Sequence, residues 1–220
     1  MKIDQSKYKI YTWKNWMVLH WILNPGLVIN ELILGQRIPK ISLEDKTSNK
    51  PRYERTYIPC PHCKTFHDSR VWSYQNGTVF KNWFGLYCPI CGNIIPCLMN
   101  GFSFIVLTLT FPFWGWFRKS LKKQWLKKQP ERYKNINIET SPNPFGKKSW
   151  FKTGLTWGVL MFLIMSIVFP YFKGQEITLK ILLIEFAIWI ISGLIFGYIM
   201  KLFMNQTIKH KSKNEIHKKV

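Results

Sequence analysis

Residues 154–172 and 181–202 form two apolar runs of 19 and 22 residues, the first uncharged and the second with Glu185 as its one acid. A helix needs about 20 apolar residues to cross the hydrocarbon of a bilayer, so each run is long enough to span. The few residues between them leave room only for a tight turn. This pair predicts a transmembrane helical hairpin over 153–204, and Trp150, Trp157, Tyr171 and Phe172 stand where interfacial anchors belong. Charge elsewhere is segregated in keeping with that. No charged residue falls between Asn82 and Phe117, whereas 118–152 carries eleven basic residues against two acids, a net of +9. Residues 201–220 net +5 and 173–178 is neutral. The positive-inside rule therefore expects the basic loop and the C-terminal tail in the cytoplasm and the short turn outside. The mean hydropathy of −0.08 is the sum of these unlike blocks, so it does not indicate a soluble globule. Aromatic residues at 16% of the chain argue against wholesale disorder.

The N-terminal region, 1–38, contains an apolar stretch broken by Asn24-Pro25-Gly26. Pro lacks the amide donor a helix needs and Gly is a common stop, so two short helices are expected. Neither can span. Their tryptophans suit an interfacial helical hairpin, or equally a hairpin packed on the rest of the protein. No small-residue cleavage site follows, so this is not read as a secretory signal. Residues 39–56 are polar and read as a linker. Residues 94–117 form a third apolar segment, interrupted by Pro96, Asn100-Gly101 and Pro112, and are expected either to span or to re-enter. In 118–152, Phe117, Leu121 and Trp125 recur every four residues with cations on the other faces, the pattern of a helix on an anionic membrane surface. A loop is expected from Gln129 and Pro130 onwards, and 205–220 is a basic tail.

Five cysteines include two Cys-x-x-Cys pairs, Cys60/Cys63 and Cys88/Cys91, separated by 24 residues. Four soft ligands at this spacing suit one tetrahedral Zn²⁺ per chain, and the odd count leaves Cys97 as a buried thiol. Pro61 and Pro89 stiffen the two turns; Gly92 permits a positive φ, and Lys64 occupies the matching place. All four positions are thiolates, so the metal is expected to be structural, with His62 and His67 as exposed loop residues. Between the knuckles, Asn76-Gly77 flanked by β-prone residues predicts a β-hairpin. Residues 57–93 so arranged resemble a zinc ribbon. With Trp21-Ile-Leu-Asn-Pro-Gly26 and Thr110-Phe-Pro-Phe-Trp-Gly-Trp-Phe117, the chain looks like uncharacterised bacterial zinc-ribbon membrane proteins. That resemblance implies a bacterial inner (plasma) membrane location and no particular reaction.

The fold class expected is a mostly α integral membrane protein with a small β zinc ribbon. Two expectations pull against each other. Thiolate sites persist in a reducing compartment, yet a spanning 94–117 would put the ribbon on the side opposite the cytoplasmic loop. The reading favoured is that 94–117 re-enters and the ribbon stays cytosolic. No catalytic motif is present, so a membrane-anchored adaptor or accessory subunit is expected. Its partners would be anionic lipid headgroups and a further protein or a second copy. The alternatives are a ribosome- or RNA-contacting protein using its basic segments, and an enzyme or transporter subunit using Glu185. Gly154-x-x-x-Gly158 and Gly193-x-x-x-Gly197 are expected to mark close helix approach.

Overall fold

Short strands fill the N-terminal half and long helices the C-terminal third of the computed structural model, which describes residues 3–139 and 143–207. About half of the chain is helical, and the sheets are small and antiparallel. The described residues divide into two units, one of 3–50 with 54–139 and one of 51–53 with 143–207.

The first unit begins with β1 (Tyr8–Tyr11), α1 (Trp16–Leu23), α2 (Leu27–Leu32), β2 (Ile38–Pro39) and β3 (Ser42–Asp45). Next come β4 (Thr56–Pro59), β5 (Phe66–Asp68), β6 (Leu86–Tyr87), β7 (Ile94–Ile95) and β8 (Cys97–Leu98). Three helices close it: α3 (Gly101–Leu109), α4 (Phe111–Trp114) and α5 (Arg118–Tyr133). Strands β1-β3-β4-β5 make one sheet, while β2 pairs with β8 and β6 with β7.

The segment 39–56 is not merely a linker, because β3 lies inside the four-stranded sheet between β1 and β4. Its polarity misleads because three of its charges, on Glu44, Asp45 and Arg55, are buried. Glu44 accepts from Arg55 at 2.7 Å and from the Tyr11 hydroxyl at 2.5 Å, and Arg55 also donates to the Asp45 carbonyl at 2.9 Å. The Asn76-Gly77 hairpin is also corrected. Gly77 does turn the chain with φ +65°, but no strands flank it. Val71 and Trp72 are consecutive buried residues in a 3-10 turn, not alternating strand positions. Thr78 then donates its hydroxyl to the Val71 carbonyl at 2.6 Å.

Residues 94–117 contain no through-going helix. The stretch opens with β7 and β8, and its longest helix, α3, has nine residues. Asn100 starts α3 as an N-cap, accepting from the amides of Phe102 at 2.9 Å and Ser103 at 3.3 Å. Pro112 in the first turn of α4 marks the break from α3. Helix α5 then runs through Pro130 to Tyr133, past the point where the loop was expected. Tertiary contacts outweigh the lost backbone bond. Trp125 and Tyr133 are each 7% exposed in the core around the cysteines, and Gln129 between them is buried. The Trp125 indole donates to the Lys81 carbonyl at 2.6 Å, and Arg132 donates to the Phe80 carbonyl at 2.8 Å. Of the expected Phe117-Leu121-Trp125 stripe, only Trp125 is buried; Leu121 is 48% exposed and Phe117 63%.

The second unit contains α6 (Ser149–Phe162), a π-helical stretch over Leu163–Val168, α7 (Phe169–Phe172) and α8 (Leu179–Met204). The continuous helix Ser149–Phe172 and the helix Leu179–Met204 are 24 and 26 residues long, long and apolar enough to cross a membrane. The expected basic tail lies outside the described residues from 208 onwards. Glycines set the approach of the two helices. A Cβ at Gly154 would sit 2.5 Å from the Gly193 carbonyl oxygen, and one at Gly158 would sit 2.6 Å from that of Trp189. Trp157 stacks on Phe196 with ring centres 4.8 Å apart. Both Gly-x-x-x-Gly motifs are thus used within one chain. Gly193→Leu should force the helices apart and cost about 1–3 kcal/mol, as overpacking does elsewhere, whereas Ile191→Leu, at an exposed position of the same helix, leaves the hairpin packing intact. Thermal unfolding in detergent of the two variants checks this.

Candidate metal centre

Each cysteine pair sits at a turn between short strands. The first joins β4 to β5, and the second joins β6 to β7. The two turns share one hydrogen-bond pattern. The Cys60 amide donates to the Thr65 carbonyl at 2.9 Å and the Lys64 amide to the Cys60 carbonyl at 3.0 Å. At the other turn, the Cys88 amide donates to the Asn93 carbonyl and the Gly92 amide to the Cys88 carbonyl, both at 2.9 Å. Gly92 has φ +71°, and Lys64 takes the same left-handed conformation with φ +62°. Lys64 therefore adopts the turn despite its Cβ, a conformation that disfavours non-glycine residues by roughly 1–2 kcal/mol.

These turns bring Cys60, Cys63, Cys88 and Cys91 together, with their sulfurs all within 4.8 Å of one another. Cys60 and Cys91 are 3.7 Å apart at sulfur, as are Cys63 and Cys88. A tetrahedral ion bound at about 2.3 Å by four sulfurs requires sulfurs ~3.8 Å apart. The spacing matches that requirement, and the four cysteines could hold a metal ion. Cys60 and Cys88 are fully buried, and the core of Ile58, Val71, Trp72, Leu86, Tyr87 and Ile95 closes around them.

Burial pushes the Cys88 thiol up to about 12 and raises Cys60 as well. On the outer side, the Thr65 hydroxyl and amide hold Cys63 down to about 5, and the Asn93 amide and side chain lower Cys91. Ionisation is thus eased at two thiols and disfavoured at two. A cation among them supplies the charge that the buried pair lacks.

His67 is where the structure departs from expectation. It is buried, on β5, with Nε2 at 3.1 Å from the Cys88 sulfur and its ring edge-on to Trp72. With Cys88 as a thiolate, that contact is an N–H···S bond which neutralises part of the sulfur charge and aims it. The sequence signal was faint: strand alternation from the end of the first knuckle turns the middle residue of Phe66-His67-Asp68 inwards. His62 is exposed at the turn, as expected. Cys97 stands apart from the four, partly buried on β8, with its thiol donating weakly to the Ile95 carbonyl and pushed up to about 12 by burial.

A family model described as a domain of unknown function (DUF8250) is similar to residues 11–107. The matched stretch contains the four clustered cysteines, α1, α2 and most of α3, and ends before α5. No curated protein and no solved structure matches the chain.

Replacing His67 by Ala should leave the metal bound but about 10–100-fold more weakly, the usual cost of removing a group that orients a ligand. Competition against a chromophoric chelator, with Cys60→Ser as the variant expected to lose the ion altogether, measures both.

Proposed function

We propose that this chain is a membrane-anchored adaptor or accessory subunit in which a structural Zn²⁺ holds a rigid ribbon, and that it carries out no reaction itself. The observation that carries the reading is the composition of the cluster. Four thiolates complete the coordination of one zinc ion and leave no position for water or substrate, the mark of a structural site. The histidine that touches the cluster, His67, is buried behind Cys88, a poor position for acid–base work on a substrate.

Anchoring is supported by the two long apolar helices and by the first unit's own surface. Phe113 and Trp116 are 80% and 84% exposed, and Trp16, Ile33, Phe104 and Leu109 are also open. Rings and aliphatic chains left outward on helices too short to span suit the interfacial zone of a bilayer. Sidedness is supported by α5. Its Trp125 and Tyr133 pack into the core that encloses Cys60 and Cys88, so the ribbon and the start of the basic segment share one side. The positive-inside rule makes that side the cytoplasm, where thiolates stay reduced. A non-spanning 94–117 removes the conflict between charge and metal.

A contact with RNA through the exposed lysines of α5 is the second reading, and the same experiment separates the two. Full-length protein extracted from native membranes in mild detergent should contain one zinc per chain, resist release by alkaline carbonate, and bring down a protein partner stoichiometrically. Absence of zinc, or release by carbonate, would overturn the reading; RNA that copurifies and is lost steeply with salt would favour the second.

A further inference from the structure

The first unit contains a cavity of about 300 Å³ between the start of α5, the end of α2 and the loop before β6. Arg37, Arg118 and Lys122 supply its charge, and Trp83, Leu107 and Trp114 supply apolar walls. No carboxylate lines it, and neither Arg118 nor Lys122 has an ion-pair partner among the described residues. Arg37 is 8% exposed at its side chain and shares one guanidinium nitrogen with Glu31. It donates from another to the Trp83 carbonyl at 2.6 Å. Its Nε remains buried with no hydrogen-bond partner among the described residues. A buried donor of that kind is costly to leave unpaired.

The walls are held in place. Trp83 donates its indole N–H to the Leu32 carbonyl at 3.1 Å, and Trp114 donates to the Leu107 carbonyl at 3.2 Å and the Thr110 hydroxyl at 3.1 Å. With both N–H groups spent, the rings offer only their apolar faces. A second cavity, about 450 Å³, shares Trp83, Phe84 and Trp114 with the first and adds Leu121, Gln124, Trp125 and Lys128. Three cations in the first cavity, and fixed rings shared by both, match an anion that bears a hydrocarbon chain. The first volume is at the low end of ligand sites, roughly 300–1,000 Å³, enough for a headgroup but not for a whole lipid.

We propose that this cavity binds the phosphodiester headgroup of an anionic membrane lipid, with an acyl chain continuing along the Trp83 and Trp114 walls. The site rests on the membrane reading above and makes it specific: one lipid is held at a defined place, in addition to any diffuse attraction of the bilayer to α5.

Native mass spectrometry of the full chain, released from a neutral detergent, tests this with phosphatidylglycerol, phosphatidylcholine or inorganic phosphate added. Phosphatidylglycerol should be retained in preference to both. The double change Arg118→Gln with Lys122→Gln should weaken its binding about tenfold or more, since each cation near an anionic lipid contributes ~1 kcal/mol. Lys119→Gln with Lys123→Gln removes the same charge from the same helix outside the cavity and should change binding less than about twofold. Leu107→Trp fills the cavity without removing charge and should exclude the lipid even if the first double variant folds poorly. The proposal is overturned if both lysine and arginine pairs matter equally, if Leu107→Trp binds as the parent does, or if phosphatidylcholine or free phosphate binds as tightly. Release by carbonate would instead sink the membrane reading, whereas a chain that stays in the membrane with unaltered lipid affinity in the variants sinks the cavity alone.

Discussion

Strands β6 and β7 are two residues each, and an isolated hairpin of that size does not persist in water. What brackets them, and β4–β5 beside them, is the pair of cysteine turns whose sulfurs meet at one point. In a unit with such short strands, an ion held between the two turns would take the part that a large apolar core plays elsewhere. The aromatic residues around it are arranged to suit. Trp72 donates its indole N–H to the Tyr87 carbonyl at 3.2 Å, Tyr87 packs on Tyr133 with ring centres 5.4 Å apart, and Phe84 packs on Trp125. The ligand residues and the docking of α5 therefore belong to one core, and a change at the sulfurs is felt along the helix.

Away from the cysteines, the first unit is joined by a buried polar cluster. Glu31 is fully enclosed, paired with Arg37, and accepts from the Asn100 amide at 2.9 Å. The Asn100 side chain donates to the carbonyls of Trp21 at 2.6 Å and Asn24 at 2.8 Å while its oxygen caps α3. One asparagine thus joins the ends of α1, the turn after it and the start of α3. Removing any member strands the others in a dry site, which costs more than the bond itself.

These particulars explain what could be read from the chain beforehand. The knuckles were legible because metal ligation is local: two cysteines at fixed spacing, with a proline inside each turn and Gly92 after the second. The long helices were legible because length and apolarity alone define them. By contrast, β3 carries a buried acid, Glu44, whose partners lie ten or more residues away, and a polar string resembles a linker until Arg55 and Tyr11 are seen beside it. Pro130 ends helices on propensity, but here Arg132 and Tyr133 are held by residues 80–82, and Gln129 by Trp125 and Arg132. The Asn-Gly turn was correctly placed, yet the residues before it face one core together instead of alternating. His67 was missed for the same reason. Its role depends on which strand lies behind Cys88, and spacing along the chain does not encode that.

The polar cluster also bears on how 94–117 can be apolar, uncharged and yet not a span. In hydrocarbon, every backbone group left unpaired costs several kcal/mol, so broken helices survive at membrane depth only where protein satisfies their ends. Helices α1, α2 and α3 are eight, six and nine residues long, and each has free ends. Asn100 pairs the first amides of α3 and the last carbonyls around α1, and the Trp83 indole pairs the Leu32 carbonyl at the end of α2. With those ends satisfied from inside, exposed rings such as Phe113 and Trp116 can face lipid without stranding the backbone behind them. An interfacial module built this way needs polar residues at Glu31, Arg37 and Asn100 for the same reason that it needs apolar ones outside. On the membrane reading proposed above, the charges that interrupt its hydropathy are what would let so short a set of helices sit beside a bilayer.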